Sequence, residues 1–351
     1  MSSFQVKVHK IQVEPHPDPE VTALECARIG DFRVVVGKGQ FVNNSLAVYI
    51  PQDSILPDDL ITEMGLDGKL AGPDKNRVKA IRLRGQLSQG LCYQPADEPL
   101  TEGDDWAEKL GITKYQPPIP VEMSGITEEA WGKTLKFDIE NFKHYPDLIQ
   151  PNQNVVITEK IHGTWCCIGL FKGEAVVCSK GLSNKGLRMK VDEGNKGNIY
   201  VKQFLQDEEK LKKLLKCFDE FMDTQDSVYV LGEIYGKKIQ DMEYGLETRD
   251  FRVFDIWIGT PADGHFLDWD MLKKYADKVG FTVVPELHQG KFNKEKVYEL
   301  ANSDKSTIAD HLMEGVVVRA FMEEKDDQIG RMVLKCTGEA YELRKKGTER
   351  Q

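Results

Sequence analysis

Apolar and polar residues alternate along the first ninety positions, and the alternation predicts short strands over 4–13, 22–29, 32–36, 45–50 and 77–84. Short strands with turns between them suit a small antiparallel barrel. After residue 138 the pattern changes. The β-branched run Asn154-Val155-Val156-Ile157-Thr158 predicts a strand, as do the apolar stretches 175–178, 228–234, 315–318 and 332–334. Phe204, Leu205, Leu211, Leu214, Leu215, Phe218 and Phe221 recur at helical spacing, which predicts a helix over 200–221 with a core-facing stripe. Shorter helices are expected over 269–279 and 294–300. Strands and helices mixed without βαβ regularity indicate an α+β chain.

Composition divides the chain. Residues 95–130 are rich in Asp, Glu and Pro, with Pro117-Pro118-Ile119-Pro120 extended, so we expect a barrel domain at 1–95, a linker at 96–137 and a second domain at 138–351. The net charge of −10 excludes a protein that coats nucleic acid indiscriminately. Lys69, Lys75, Arg77, Lys79, Arg82 and Arg84 nevertheless stand against one acid, Asp74, over residues 69–86. Of these, Arg77, Lys79, Arg82 and Arg84 are candidate nucleic-acid contacts. The seven cysteines contain no C-x-x-C pair, so neither a disulfide framework nor a structural zinc site is encoded. No apolar run reaches the length of a membrane span, and Met1-Ser2-Ser3-Phe4 opens no signal segment. The expectation is an intracellular monomer, cytoplasmic or nuclear, with no membrane partner.

The chemistry centres on Thr158-Glu159-Lys160-Ile161-His162-Gly163-Thr164. Lys160 follows a predicted strand, and Gly163 permits a tight turn just after it. A nucleophilic lysine must lose its proton, which takes desolvation or a neighbouring cation. Five segments suited to a nucleotide follow in order. Lys180 in Ser179-Lys180-Gly181 can contact a phosphate, and Glu233 ends an apolar strand where a carboxylate can accept from ribose hydroxyls. Phe254 lies in an aromatic stretch able to stack on a purine, and Glu314 precedes a buried strand where an acid can hold hydrated magnesium. Lys335 leaves the last apolar strand, placed to neutralise an α-phosphate. No P-loop is present, because Gly37-Lys38-Gly39 lacks its other residues.

This order of residues resembles the covalent nucleotidyltransferase superfamily of RNA ligases, DNA ligases and mRNA capping enzymes. His162 in Lys-Ile-His-Gly-Thr is similar to RNA ligases of the T4 second type and the Deinococcus type. The barrel ahead of the catalytic domain, and a stretch after Lys335 too short for another barrel, look like the Deinococcus type. His16-Pro17-Asp18, Arg33 to Gly37, Arg82 to Gly85 and Ser88-Gln89-Gly90 resemble the tRNA-binding type of oligonucleotide-binding barrel. The departure at Pro19-Glu20-Val21 means that tRNA is not inferred.

The resemblance implies an OB-like barrel followed by a nucleotidyltransferase (ATP-grasp-like ligase) domain of antiparallel sheets and helices. It implies Lys160 as the nucleophile toward ATP, with Glu159 and Ile161 at the nucleotide and His162 and Gly163 shaping the phosphate pocket. Lys180 would meet phosphate, Glu233 ribose, Phe254 the purine, Glu314 a Mg2+ or Mn2+ ion, and Lys335 the α-phosphate. The implied partner is RNA, or an RNA-containing duplex with a nick. Two departures stand out: Trp165 replaces a small polar residue of T4-like relatives, and Lys335 lacks a second lysine at 333 or 337. A capping-type guanylyltransferase, a DNA ligase and a non-catalytic RNA-binding protein remain open alternatives.

Overall fold

The computed structural model describes residues 4–219, 226–344 and 347. The chain forms two compact units, one from Ser2–Gln116 with Asn141–Leu148, the other chiefly from Pro117–Glu140 with Ile149–Gln351.

In the first unit the strands Gln12–Pro15, Leu24–Ile29 and Phe32–Gly37 form an antiparallel meander. Val8–Lys10, Leu46–Ile50 and Leu91–Tyr93 form a second sheet. Alternation works as expected in Phe32–Gly37, where Phe32, Val34 and Val36 are buried and Arg33 is exposed. Leu46–Ile50 is different. Ala47 and Tyr49 join one core cluster while Val48 and Ile50 join another, so this strand is covered on both faces.

Trp106 and Ile112 supply part of that second cover, and Thr113–Lys114 pairs with Ser54–Ile55. Residues 96–116 therefore belong to the barrel unit, although their acidic composition reads as linker. Residues 117–137 belong to the other unit: Met123, Ala130 and Leu135 are buried, and Thr127–Glu129 pairs with Leu187–Met189. A few apolar anchors outweigh the surrounding composition. The strand expected over 77–84 is also divided, since Ile81–Leu83 turns back on Gln86–Ser88 through Arg84 and Gly85 at φ 49° and 87°. Two successive left-handed residues are what a two-residue hairpin turn requires.

Two larger antiparallel sheets build the second unit. One runs in the order Val333–Thr337, Gly315–Ala320, Asn154–Glu159, Glu286–Lys291. The other runs Glu174–Ser179, Thr164–Phe171, Ser227–Gly236, Arg249–Ile258, His265–Phe266. The long helix Ile199–Asp219 lays Tyr200, Phe204, Leu211, Leu214 and Phe218 into the core cluster of the second sheet. Leu205, expected in that stripe, is exposed, because it lies one position round from Phe204; Phe221 lies outside the described residues. Among the described residues no helix is long and apolar enough to cross a membrane.

Candidate active site

Asn154–Glu159 belongs to one sheet and Thr164–Phe171 to the other, so Lys160 to Gly163 carry the chain across the seam between them. The crossing is pinned by its backbone. Glu159 N donates to Pro285 O and Lys160 N to Gly315 O, both at 2.9 Å, and Gln240 Nε2 donates to Gly163 O at 2.8 Å. Gly163 is needed for a reason other than the expected turn. A Cβ there would lie 2.3 Å from Ile234 O and 2.8 Å from Glu233 Cγ, so only glycine lets the crossing pass so close to the Ser227–Gly236 strand.

Lys160 Nζ donates to Glu314 Oε1 at 2.6 Å. Glu314 Oε2 lies 3.4 Å from His162 Nδ1 and has no hydrogen-bond partner, although it is buried. Burial alone would raise the Glu314 carboxyl, but the Lys160 ammonium and the His162 imidazole hold it at about 2. Glu233 shows the opposite balance. Burial pushes its carboxyl up to about 8 despite the charge of Lys160, with the negative Glu314 adding to the rise. Two carboxyls near one amine are thus held in different protonation states, a common feature of sites that move protons or charge.

His162 is buried with both ring nitrogens engaged. Nε2 donates to Asp241 at 2.9 Å, and the Tyr341 hydroxyl lies 2.8 Å from Nδ1. Burial lowers its pKa, yet the contacts with Asp241 and Glu314 prevail and raise it above the ordinary value. Arg344 Nε donates to Asp241 at 3.2 Å, and its guanidinium stacks 3.5 Å over the Tyr341 ring. Sequence reading missed Asp241, Tyr341 and Arg344, since no spacing marks a loop residue and a chain-end helix as neighbours of one histidine.

The other expected residues are distributed unevenly. Glu159 has its carboxylate taken by Ser306 Oγ, Thr307 N and Thr307 Oγ1 at 2.5–2.9 Å, and Ile161 packs in the core. Lys180 Nζ donates to Asp138 at 2.8 Å. Phe254 lies 5.5 Å from Phe137, which in turn lies 5.7 Å from Trp165, an aromatic group on the Glu233 side of the sheet. Lys335 is in register with Val317, and Val317 with Thr158, so it shares a sheet face with the residue two before Lys160. Among the described residues no group of three or more His, Cys, Asp or Glu could hold a metal alone. The open Glu314 Oε2 fits a hard cation that keeps waters and phosphate oxygens as its other ligands.

In the barrel unit Arg77 is buried, hydrogen-bonded to Asp53 Oδ1 at 2.5 and 3.0 Å and stacked 3.6 Å over Tyr115. It is a structural residue there, not an exposed contact. Lys79 is half-buried, while Arg82 and Arg84 are exposed at the hairpin tip.

Residues 153–337 match the family model described as RNA ligase, and residues 5–95 match one described as an OB-fold domain. No curated protein matches the chain. Solved structures of Naegleria gruberi RNA ligase are similar throughout. A mutant with AMP and Mn is 23% identical over 96% of this chain and 97% of that chain, with a TM-score of 0.76. A mutant with ATP and Mn is 23% identical over 97% and 98%, with a TM-score of 0.78. The ligase with PPi is 22% identical over 97% and 98%, with a TM-score of 0.76. These likenesses bear out the expected architecture, an N-terminal OB-fold barrel followed by a ligase catalytic domain.

Proposed function

The chain belongs to the RNA ligase family, and from that premise we propose that it uses ATP and a divalent cation to join RNA 3′-hydroxyl and 5′-phosphate ends through a Lys160-AMP adduct. The observation that carries this is the Lys160 amine at the seam of two sheets, 2.6 Å from a buried carboxylate whose second oxygen accepts no hydrogen bond and lies 3.4 Å from His162 Nδ1. The neutral amine attacks the α-phosphorus of ATP; a nitrogen–phosphorus bond forms, the α–β bridging bond breaks, and pyrophosphate leaves. An oxygen of the RNA 5′-phosphate then attacks the adenylyl phosphorus and releases Lys160. Finally the 3′-hydroxyl attacks the activated 5′-phosphate and expels AMP.

Glu314 pairs with the Lys160 ammonium between turnovers and orients it. Lys335 offers positive charge on the same sheet face, where it would stabilise the α-phosphate as charge develops. His162, fixed by Asp241 and Tyr341, holds its ring against Glu314. A bound Mg2+ or Mn2+, held by Glu314 with waters and phosphate oxygens, would supply Lewis acidity and favour the neutral amine. Phe254 and Glu233 would receive purine and ribose, and Lys180 a phosphate once it leaves Asp138. The exposed Arg82 and Arg84, with Lys79, support RNA contact by the barrel. The barrel's place ahead of the catalytic unit supports the Deinococcus type, and a nick in a duplex is the substrate we assign.

Incubation with ATP labelled at the α-phosphate, with magnesium or manganese, should leave label on the wild-type protein and none on Lys160→Ala. A wild type that stays unlabelled with both metals would sink this reading. Labelling by GTP in place of ATP would favour a capping-type enzyme. Better sealing of an all-DNA nick than of one with an RNA 3′-hydroxyl strand would favour a DNA ligase.

A further inference from the structure

We propose that Trp165 reads the ribose of the nucleotide: its indole N–H donates to a ribose hydroxyl of bound ATP, beside Glu233. The inference rests on ATP being the substrate, as argued above.

Trp165 lies in Thr164–Phe171 directly opposite Glu233 in Ser227–Gly236. Side chains of such antiparallel partners share a face, with Cβ atoms about 5 Å apart. The face is clear from the neighbours. Cys166 and Ile168 point into the core beneath the long helix, and Thr164 Oγ1 meets Tyr200 OH of that helix at 2.8 Å. Trp165 and Cys167 point the other way, toward a cluster that includes Tyr229 and Leu231 and is bordered by Phe137 and Phe254. Trp165 therefore stands on the side of the sheet that carries Glu233 and the expected purine stack.

Its indole Nε1 is buried and has no hydrogen-bond partner. Two other indoles in this unit have partners: Trp257 Nε1 donates to Gly259 O and Thr260 O, and Trp269 Nε1 donates to Glu286. A buried donor left without a partner costs stability, and natural proteins rarely tolerate one without a reason. A phenylalanine would fill the same apolar space without that cost. The carboxylate of Glu233, its cross-strand partner, likewise has no hydrogen bond among the described residues.

An unpartnered donor and an unpartnered acceptor on cross-strand neighbours define the ligand group. A phosphate has no proton to give, so it would leave the acceptor that Glu233 offers unused. A hydroxyl both donates and accepts, so one of the vicinal ribose hydroxyls can give its proton to Glu233 while that hydroxyl or its neighbour accepts from Trp165.

The test is lysine adenylylation without RNA, so that ATP supplies the only ribose, using wild type and Trp165→Phe with ATP, 2′-deoxy-ATP and 3′-deoxy-ATP. Trp165→Phe should raise KM for ATP about tenfold while the nucleotide-free protein melts no lower than wild type. Removing the hydroxyl that Trp165 reads should cost wild type more than it costs Trp165→Phe. Fully additive losses, or an unchanged KM for ATP in the variant, would overturn the proposal. Should Trp165→Phe fail to fold, wild type decides alone: equal KM values for ATP and both deoxy analogues would refute ribose reading. A wild type that forms no adduct would instead refute the ATP reading.

Discussion

Asp255 and Glu314 are both buried carboxylates of the catalytic unit, and their surroundings differ in one respect. Asp255 receives Arg331 through two nitrogens at 2.8 and 3.0 Å and Arg319 at 3.0 Å, while Glu323 takes a hydrogen bond from each arginine. Burial would raise Asp255, yet the two guanidiniums keep it below the usual carboxylate range. The group joins Arg249–Ile258 of one sheet to Gly315–Ala320 of the other, and both Asp255 oxygens are occupied. Glu314 spends one oxygen on Lys160 and leaves the other open, and Glu233 nearby spends neither. A buried carboxylate with both oxygens taken serves the fold. One left open holds room for a ligand.

The sharpest test of that contrast is at the open cluster, where Lys160→Ala should remove adduct formation entirely and, by leaving buried Glu314 without its main cation, should also lower the urea midpoint. At the Asp255 cluster the effect is expected in stability. Asp255→Ala strands two buried arginines and should cost about 3–5 kcal/mol in urea unfolding; a loss below about 1 kcal/mol would show that the network is not what binds the sheets.

Glu233 makes the contrast depend on pH. Its carboxyl titrates near 4.5 when unfolded and about 8 when folded, so the folded protein prefers it protonated. That contribution to stability is complete below pH 4.5 and lost as the pH rises through about 8. Glu233→Gln should therefore stabilise the nucleotide-free protein at pH 8 by roughly 2–4 kcal/mol, and by nothing at pH 4. Nucleotide binding should weaken in the same variant. Equal stability of variant and wild type across this range would show that Glu233 is solvated. Glu314 runs the other way: its contribution is present above pH 4.5 and is lost as the pH falls through about 2.

The smallest effects are expected in the barrel unit, where the same distinction separates neighbouring arginines. Arg77→Ala breaks a buried pair with Asp53 and should cost about 1–2 kcal/mol. Arg82→Ala and Arg84→Ala should change stability by less than about 0.5 kcal/mol and should lower the salt dependence of RNA binding. If Arg77→Ala alone altered RNA affinity without altering stability, its assignment as structural would be wrong.

Much of this was legible along the chain because periodicity is local. The helices at 269–279 and 294–301 and the strands around 154–159, 227–236 and 315–320 follow from runs of apolar residues that any viewer of the sequence can count. Lys160 and Glu314 were legible because they flank such runs, whereas Glu233, expected to end its strand, lies inside Ser227–Gly236, which continues through Ile234 and Tyr235. The barrel boundary was not, because Trp106 and Ile112 are isolated apolar positions in an acidic stretch, and only a strand needing cover on both faces explains them. Arg77 reads as one basic residue among six until Asp53 and Tyr115 are placed beside it.

The sequence by itself determined the elements, the order of the chemical residues and the division between a barrel and a mixed catalytic unit, since each depends on residues within a few positions of one another. The tertiary structure decided which side chains are spent and which are open. Glu159 turned out to be consumed by Ser306 and Thr307, Gly163 to be required by the carbonyl of Ile234, and His162 to be clamped by Asp241 and Tyr341. Those facts depend on contacts between residues some 70 to 180 positions apart, and only packing the sheets together brings such atoms within hydrogen-bond reach.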